Sequence, residues 1–141
     1  MSKNVLIISS SPRKGGNSDT LCDEFKKGAE EAGNRVDKIR LAELSIDYCS
    51  ACYACKKLGY CVKQDDMEQV IAKMRDADVI VLATPVYFYT MCAQMKTMID
   101  RTLPRYTEMK DKEFIFIATA AAGAQAMERT IDGLYGFTDW L

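Results

Sequence analysis

The stretch VLIISSSPRKGGNS, residues 5–18, decides the fold of this chain. Its first half is a short apolar run, which is typical of a strand buried inside a parallel sheet. Its second half is polar, and it leads into a segment in which Leu21 and Phe25 stand at helical spacing. Asn17 or Ser18 is the predicted N-cap of that helix. The stretch therefore predicts a strand, a loop and a helix in direct succession.

The rest of the chain repeats this alternation of strands and helices. Two more apolar runs predict strands, at residues 79–83 and 114–118, and a weaker, more charged segment at residues 36–41 predicts a strand near the edge of the sheet. Such an alternation implies an α/β fold, in which a parallel sheet carries helices on both faces. In a doubly wound sheet of this kind, ligands bind outside the carboxyl ends of the strands. Three loops leave those ends and are predicted to converge on one crevice, namely residues 9–18, 84–90 and 119–123.

The composition excludes several classes of protein. The chain has 141 residues, enough for a sizeable core, so residues 1–141 are expected to form a single domain. Its 19 basic and 20 acidic residues give a net charge of −1, which argues against nucleic acid or an anionic membrane as a partner. It has no histidine, which removes Ser-His-Asp and Cys-His nucleophile pairs, HExxH zinc sites and every imidazole acid–base step.

The apolar segments bear on where the protein resides. Residues 1–8 hold one lysine and then a single short apolar run, which is less than a signal peptide needs. No window approaches the roughly 18 uninterrupted apolar residues of a membrane span. We therefore expect a cytoplasmic protein with reduced thiols, and in that setting clustered cysteines favour metal binding or redox chemistry over disulfides.

The first loop has the composition of an anion-binding site. Residues 9–20 combine hydroxyls, an amide, backbone N–H groups and the start of a helix, which together suit a phosphate. Gly15 and Gly16 let a ligand approach the backbone, and Arg13 or Lys14 can add positive charge. The loop is neither GxGxxG nor GxxxxGK(S/T), so neither a dinucleotide fingerprint nor a nucleotide P-loop is indicated. The alternative is an ordinary polar loop with a serine cap.

Aromatic and small residues distinguish the other two loops. Tyr87, Phe88 and Tyr89 follow a strand, where exposed aromatic residues indicate a flat ligand or a protein partner. Packing under a neighbouring loop or across a dimer interface is the alternative. Residues 119–124 are nearly free of side chains, and such a loop lets a planar ring lie against the backbone. Close packing at the start of a helix is the competing explanation.

Four of the six cysteines lie within 13 residues, at Cys49, Cys52, Cys55 and Cys61. Thiolates at this spacing suit a cubane iron–sulfur cluster or zinc, and free thiols retained from a cluster-bearing relative are a third interpretation. Of the other two, Cys22 is interpreted as a core residue. Cys92 is interpreted as helix packing, with a redox role as the alternative. Asp100 and Arg101 are interpreted as a surface or interface pair.

The combination of motifs resembles the flavodoxin-like flavoproteins, specifically the group of NAD(P)H-dependent FMN reductases and iron–sulfur flavoproteins. The resemblance rests on SSSPRKGGNS at residues 9–18 and TPVYFY at residues 84–89, with QMK at 94–96 and IDR at 99–101. It implies a doubly wound parallel sheet with strand order 2-1-3-4. Only four strands are predicted where that fold has five, so we expect either a C-terminally truncated chain or an open edge covered by another chain.

The resemblance also implies FMN as the cofactor and assigns residues to it. The phosphate would be held by Ser9, Ser11, Arg13, Asn17, Ser18 and Thr20. The ribityl chain and the isoalloxazine ring would be bordered by Pro85, Val86, Tyr87, Phe88 and Tyr89, and the pyrimidine side of the ring by Thr119, Ala120, Ala121 and Gly123. No side chain is assigned a catalytic role, because the reactive chemistry belongs to the flavin. The four-cysteine spacing resembles the 4Fe–4S motif of iron–sulfur flavoproteins.

Two functions follow from the resemblance. The first is an FMN-dependent oxidoreductase that takes hydride from NAD(P)H and reduces a small acceptor such as a flavin or a quinone. The second is an electron-transfer flavoprotein, in which a 4Fe–4S cluster takes single electrons from a ferredoxin-type donor and passes them to FMN without nicotinamide. A non-catalytic flavin-binding or metal-binding module is the third hypothesis. A homodimer or higher homo-oligomer is expected, with the second subunit over the flavin.

Overall fold

A central parallel sheet organises the molecule. The computed structural model describes residues 1–141. Its strands are β1 (Asn4–Ser9), β2 (Arg35–Arg40), β3 (Val79–Tyr87), β4 (Thr90–Met91) and β5 (Glu113–Thr119). β1, β2, β3 and β5 are parallel and lie side by side in the order β2-β1-β3-β5. This is the order 2-1-3-4 that the resemblance implies for the four predicted strands, and the flavodoxin-like fold class is confirmed.

The sheet contains a fifth strand, so the prediction of only four strands was wrong in this detail. β4 has two residues, and residues 86–87 at the end of β3 pair with it in antiparallel fashion. A two-residue turn at Phe88 and Tyr89 joins the two strands, and both turn residues have positive φ. Such turns usually carry Asn-Gly, so two aromatic residues gave no turn signal in the sequence. β4 forms a hairpin on β3 and leaves β5 at the edge of the parallel sheet.

Five α-helices lie between the strands and after the last one. They are α1 (Asn17–Glu31), α2 (Ala54–Leu58), α3 (Met67–Asp76), α4 (Ala93–Arg101) and α5 (Ala124–Thr138). Short 3-10 helices follow β2 and α4, at Leu41–Glu43 and Leu103–Met109. None of the helices combines the length and the apolar character that crossing a membrane requires.

The start of α1 differs from the sequence prediction. Gly16 is the N-cap residue and no side chain caps the helix, whereas the sequence favours Asn17 or Ser18 as the cap. The physical reason is Asp19, whose carboxylate reaches back from the first turn and accepts a hydrogen bond from the N–H of Gly15 at 2.9 Å. The carboxylate of the third helical residue therefore closes the loop onto the helix.

Apolar side chains alternate between the two faces of the sheet and build a core on each. One face of β1 and β3 packs against α3, α4 and α5, with Met74, Met95 and Leu134 fully buried there. The other face packs against α1 around Cys22. Burial raises the pKa of the Cys22 thiol to about 11, which fits a core cysteine. Helices therefore cover both faces, as a doubly wound sheet requires.

Candidate functional site

The carboxyl ends of β1, β3 and β5 bring the three predicted loops to one edge of the sheet. Ser10 joins the first loop to β3, because its N–H and its hydroxyl both donate to the carbonyl of Ala83, at 3.0 and 2.7 Å. Pro85 and Thr119 are partners in register at the ends of β3 and β5. The loops that follow these three strands are therefore neighbours.

A buried carboxylate that the sequence prediction missed holds the first loop together. Asp19 is 3% exposed and accepts hydrogen bonds from the Ser9 hydroxyl and the Gly15 N–H, each at 2.9 Å. Lys38 Nζ lies 2.7 Å, and Arg40 Nε 3.5 Å, from the same carboxylate. Burial alone raises the pKa of Asp19, but the hydrogen bonds from Lys38, Gly15 and Ser9 outweigh burial and lower the pKa to about 2. Asp19 therefore stays ionised at neutral pH and links the loop to β1 and β2.

The sequence carries a weak signal for this ion pair. Lys38 and Arg40 are two residues apart in β2, so their side chains lie on one face of the strand. Asp19 is an acidic residue in the first turn of the preceding helix, α1. Two cations on one strand face, next to a helix that begins with an acid, indicate a buried ion pair.

The residues predicted to hold a phosphate surround the N-terminus of α1. Ser9, Ser11 and Ser18 are buried, whereas Arg13, Asn17 and Thr20 are exposed. The first hydrogen bond of α1 runs from the Thr20 N–H to the Gly16 carbonyl at 2.9 Å, so the N–H groups of residues 17–19 have no acceptor within the helix. Such a helix start suits an anion. The contact of these residues with a phosphate stays a prediction.

An exposed aromatic hairpin stands at the second loop. Tyr87, Phe88 and Tyr89 are 43%, 100% and 52% exposed, and they extend beyond Pro85, which is buried. Phe88 and Tyr89 have φ angles of 50° and 63°, in the left-handed region that bulky side chains adopt only under strain. The Arg129 guanidinium of α5 lies 5.6 Å from the ring centroid of Tyr89. Full exposure excludes packing of Phe88 under another loop of the same chain.

Open space borders the backbone of the third loop. Gly123 has a φ of +76°, and a Cβ built on it would meet no atom within 4 Å. Thr119 and Ala120 are half-buried, and Ala121 is exposed. Gly123 is also the N-cap of α5, so the loop is both a helix start and an open stretch of backbone. A planar ring can approach this surface without meeting a side chain at Gly123.

A buried thiol links the first two loops. Cys92 Sγ lies 3.1 Å from the Ser10 hydroxyl, and the Cys92 N–H donates to Thr84 Oγ1 at 3.0 Å. All three side chains are nearly inaccessible, at no more than 1% exposure. This network holds the end of β3 against the end of β1, which supports a packing role for Cys92.

The four clustered cysteines line one pocket beside the end of α4. Cys55 and Cys61 are half-buried, and Cys49 and Cys52 are exposed. No three His, Cys, Asp or Glu side chains are gathered closely enough to hold a metal ion. The donor set nevertheless suits a thiolate-bound group, because four thiols line this one pocket and the Ala51 N–H donates to Cys49 Sγ at 3.4 Å.

A buried arginine borders the cysteine pocket. Arg101 is 2% exposed, and it binds both carboxylate oxygens of Asp65, at 2.7 and 2.9 Å. Burial alone raises the pKa of Asp65, but hydrogen bonds from Arg101 and from the N–H groups of Asp47 and Met67 lower it to about 2. The interpretation of Arg101 as a surface residue was wrong. Its partner lies 36 residues earlier in the chain, where no local pattern reveals it.

Acid should destabilise the protein through Asp19 and Asp65. Both carboxylates have a pKa of about 2 in the folded protein, below the value of about 4 expected in the unfolded chain. Each therefore contributes about 2 kcal/mol to the free energy of unfolding, present in full above about pH 4 and lost as the pH falls through about 2. Urea unfolding at pH 7, 5 and 3 measures this decline. A free energy equal at pH 5 and pH 3 would contradict it, and Asp65→Asn should flatten the decline.

The doubly wound sheet, the helix start after β1 and the aromatic hairpin after β3 define a flavodoxin-like α/β protein. Residues 3–137 match the family described as NADPH-dependent FMN reductase, and the chain belongs to this family. The family indicates FMN as the cofactor. The helix start without internal acceptors and the open backbone at Gly123 fit a molecule with a phosphate at one end and a flat ring at the other.

Similar sequences include proteins named iron-sulfur flavoprotein. One from Archaeoglobus fulgidus is 41% identical over 97 residues, which are 69% of this chain and 44% of that protein. One from Methanosarcina thermophila is 34% identical over 140 residues, which are 97% of this chain and 72% of that protein. Among solved structures, an NAD(P)H:quinone oxidoreductase from Methanothermobacter marburgensis has a TM-score of 0.73 at 18% identity, with 100% of this chain and 73% of that one covered. The chain thus spans only part of each.

Proposed function

We propose that this chain forms the flavin site of an FMN-dependent oxidoreductase, which accepts hydride from NAD(P)H and reduces a small acceptor such as a flavin or a quinone. The observation that carries the proposal is the meeting of three surfaces at one edge of the sheet. They are a helix start with free N–H groups, a strained aromatic hairpin and a backbone with few side chains. FMN needs these three surfaces, for its phosphate and for its ring.

In this proposal, different residues bind different parts of FMN. The N–H groups of residues 17–19, with the side chains of Ser11, Asn17, Ser18 and Thr20, would hold the phosphate, and Arg13 would add charge from the exposed side. Ser9 would act beneath them, since its hydroxyl donates to Asp19 at 2.9 Å. Residues 85–89 would border the ribityl chain and the ring, and residues 119–123 would face its pyrimidine side. FMN, when bound, supplies the hydride-accepting chemistry. The exposed aromatic rings of the hairpin would exclude water and offer a nicotinamide a surface for stacking.

The cysteine pocket favours a second function. In this alternative Cys49, Cys52, Cys55 and Cys61 hold a 4Fe–4S cluster, which would supply single electrons from a ferredoxin-type donor. The hydrogen bond from the Ala51 N–H to Cys49 Sγ supports it, because such bonds stabilise thiolate ligands. The names of the two relatives point in the same direction.

The surroundings of the site form part of the proposal. Phe88 is fully exposed, and a second copy of the chain in a homodimer would cover it. A cytoplasmic location would keep the four thiols reduced. Light scattering of wild-type protein and of Phe88→Ser tests the dimer. The dimer of the variant should dissociate at a higher protein concentration than that of the wild type.

Protein purified without oxygen distinguishes the two functions. An absorption spectrum reports flavin, and assays of iron and sulfide report the cluster. Rapid mixing with NADH and with NADPH should bleach the flavin if the first function is correct. Iron with sulfide, together with no bleaching by either nucleotide, would favour the second. A colourless protein that does not take up FMN would contradict both, and zinc or metal-free thiols would contradict the cluster.

Ser18→Ala should weaken FMN binding by about tenfold, because a hydroxyl bound to a charged phosphate contributes about 1.5 kcal/mol or more. Ser18 is the second residue of α1 and is buried, at 2% exposure, beside the free N–H groups. Quenching of flavin fluorescence on titration measures the affinity. Ser2→Ala, at an exposed position remote from the loop, is the control. Unchanged affinity in Ser18→Ala would refute the phosphate assignment.

A further inference from the structure

We propose that Arg101 is a positioning residue for the metal group of the cysteine pocket. It clamps both ends of the cysteine segment, defined as residues 47–65, and it leaves one buried N–H unpaired beside the thiols. The proposal rests on the second function above, in which the four cysteines hold an iron–sulfur cluster. Two separate observations support it, one on the ends of the segment and one on charge.

The clamp is visible in the hydrogen bonds of one guanidinium. Arg101 Nη1 donates to the Asp47 carbonyl at 2.6 Å, and Nη1 and Nη2 pair with the Asp65 carboxylate at 2.7 and 2.9 Å. Asp65 in turn accepts a hydrogen bond from the Asp47 N–H at 3.0 Å. One side chain of α4 therefore ties together the first and the last residue of the cysteine segment.

Few other contacts hold the interior of the cysteine segment. Lys63 pairs with Asp47 at 3.7 Å, and Ser45 and Asp66 exchange two hydrogen bonds just outside the ends of the segment. The segment contains no strand, and its one helix, α2, has five residues, none of which is buried. Its internal backbone bonds are short-range, from the Lys56 N–H to Tyr53 at 3.1 Å and from the Gly59 N–H to Cys55 at 2.8 Å. Segments with few buried contacts open locally at small cost in free energy. The positions of the thiols therefore depend on how the ends are held.

The charge of Arg101 faces the same pocket. Arg101 lines it together with all four cysteines. Asp65 occupies Nη1 and Nη2, whereas Nε is buried without a hydrogen-bond partner. A cluster held by thiolates has excess negative charge, and a neighbouring cation or N–H donor favours its reduced state. Arg101 should therefore raise the reduction potential of the cluster as well as position its ligands.

Three variants separate the clamp from the charge. Arg101→Lys keeps the charge but loses the two-pronged contact with Asp65, and Arg101→Met loses both. Arg105→Met is the matched control, because Arg105 pairs with Glu108 and does not line the pocket. Each protein is prepared metal-free and reduced, and then reconstituted with iron and sulfide under anaerobic conditions. The measurements are cleavage by lysyl endopeptidase after residues 56 and 57 in the metal-free protein, iron and sulfide per chain, and the reduction potential.

Both Arg101 variants should be cleaved about tenfold faster than the wild type, because the cysteine segment opens more often. Both should retain less than roughly half of the wild-type iron, in line with the effect of removing an outer-shell partner of a metal ligand. The reduction potential should fall in Arg101→Met and fall less in Arg101→Lys. Arg105→Met should match the wild type in all three measurements. Wild-type cleavage, iron content and potential in Arg101→Met would overturn the proposal.

Two further results keep the test decisive. FMN affinity, measured on the same samples, reports whether each variant is folded, and Arg101→Lys replaces Arg101→Met if the latter does not fold. A wild-type chain that takes up no iron refutes the cluster and with it the second function. The cleavage rates then still decide the clamp, since equal rates in wild type and Arg101→Lys would overturn it independently.

Discussion

Asp19→Asn is expected to weaken FMN binding by about tenfold or more and to lower the free energy of unfolding by about 3 kcal/mol. The carboxylate accepts hydrogen bonds from Ser9 and Gly15 and pairs with the cations of Lys38 and Arg40. An amide of the same shape has one acceptor oxygen, so its NH2 group must face one of these donors. The loop then loses its anchor, and two largely buried cations lose their buried anion.

Flavin fluorescence gives the affinity, and urea unfolding of the apoprotein gives the stability. Asp23→Asn is the matched control, since Asp23 also pairs with Lys38, at 2.6 Å, but is 61% exposed. Its effect on the free energy of unfolding should stay below about 1 kcal/mol, as for other exposed ion pairs, and FMN affinity should not change. Wild-type affinity in folded Asp19→Asn would show that this carboxylate does not support the flavin loop.

The buried strands could be predicted because they consist mainly of apolar residues. Residues 79–83 form an uninterrupted apolar run, and all of them are buried, so hydrophobicity alone locates β3. The hairpin that follows could not be predicted in this way. Its turn consists of Phe88 and Tyr89, residues that favour strands and not turns. Their positive φ comes with the hairpin itself, in which residues 86–87 pair with residues 90–91 around the two-residue turn. Neither residue type signals such a turn.

In the candidate site, too, local sequence features could be predicted and contacts between distant residues could not. The composition of the first loop and the cysteine spacing are local, and they predicted an anion site and a metal site of four cysteines. The four thiols line one pocket, and both sites stay predictions. Asp19 and Arg101 were missed as organising residues, because their roles depend on partners in other elements. Lys38 lies 19 residues from Asp19, and Asp65 lies 36 residues from Arg101. With 19 basic and 20 acidic residues, one sequence does not show which of many charges pair.

Replacing Phe88 with asparagine and Tyr89 with glycine is expected to raise the free energy of unfolding by about 1–3 kcal/mol. The same change should lower NAD(P)H-dependent reduction of the flavin by about tenfold or more, because the stacking surface is lost. Asn-Gly adopts positive φ at both positions with little strain, and β3 and β4 can keep their pairing. Phe88 is 100% exposed, so its removal costs no packing within the chain.

Stability and reaction rate, measured together, show whether the backbone strain at Phe88 and Tyr89 serves the flavin site. Urea unfolding of the apoprotein gives the stability, and rapid mixing with NADH and NADPH gives the rate of flavin reduction. Trp140→Ala is the control, because Trp140 is also an exposed aromatic residue, at 80%, but lies outside the hairpin. A more stable variant with an unchanged rate would show that the aromatic rings do not act in the reaction. A slower variant with unchanged stability would show that Phe88 and Tyr89 stack on a ligand without stored strain. Only a gain in stability together with a loss in rate supports the proposal. In that case the turn keeps a strained conformation because it places the two aromatic rings at the flavin.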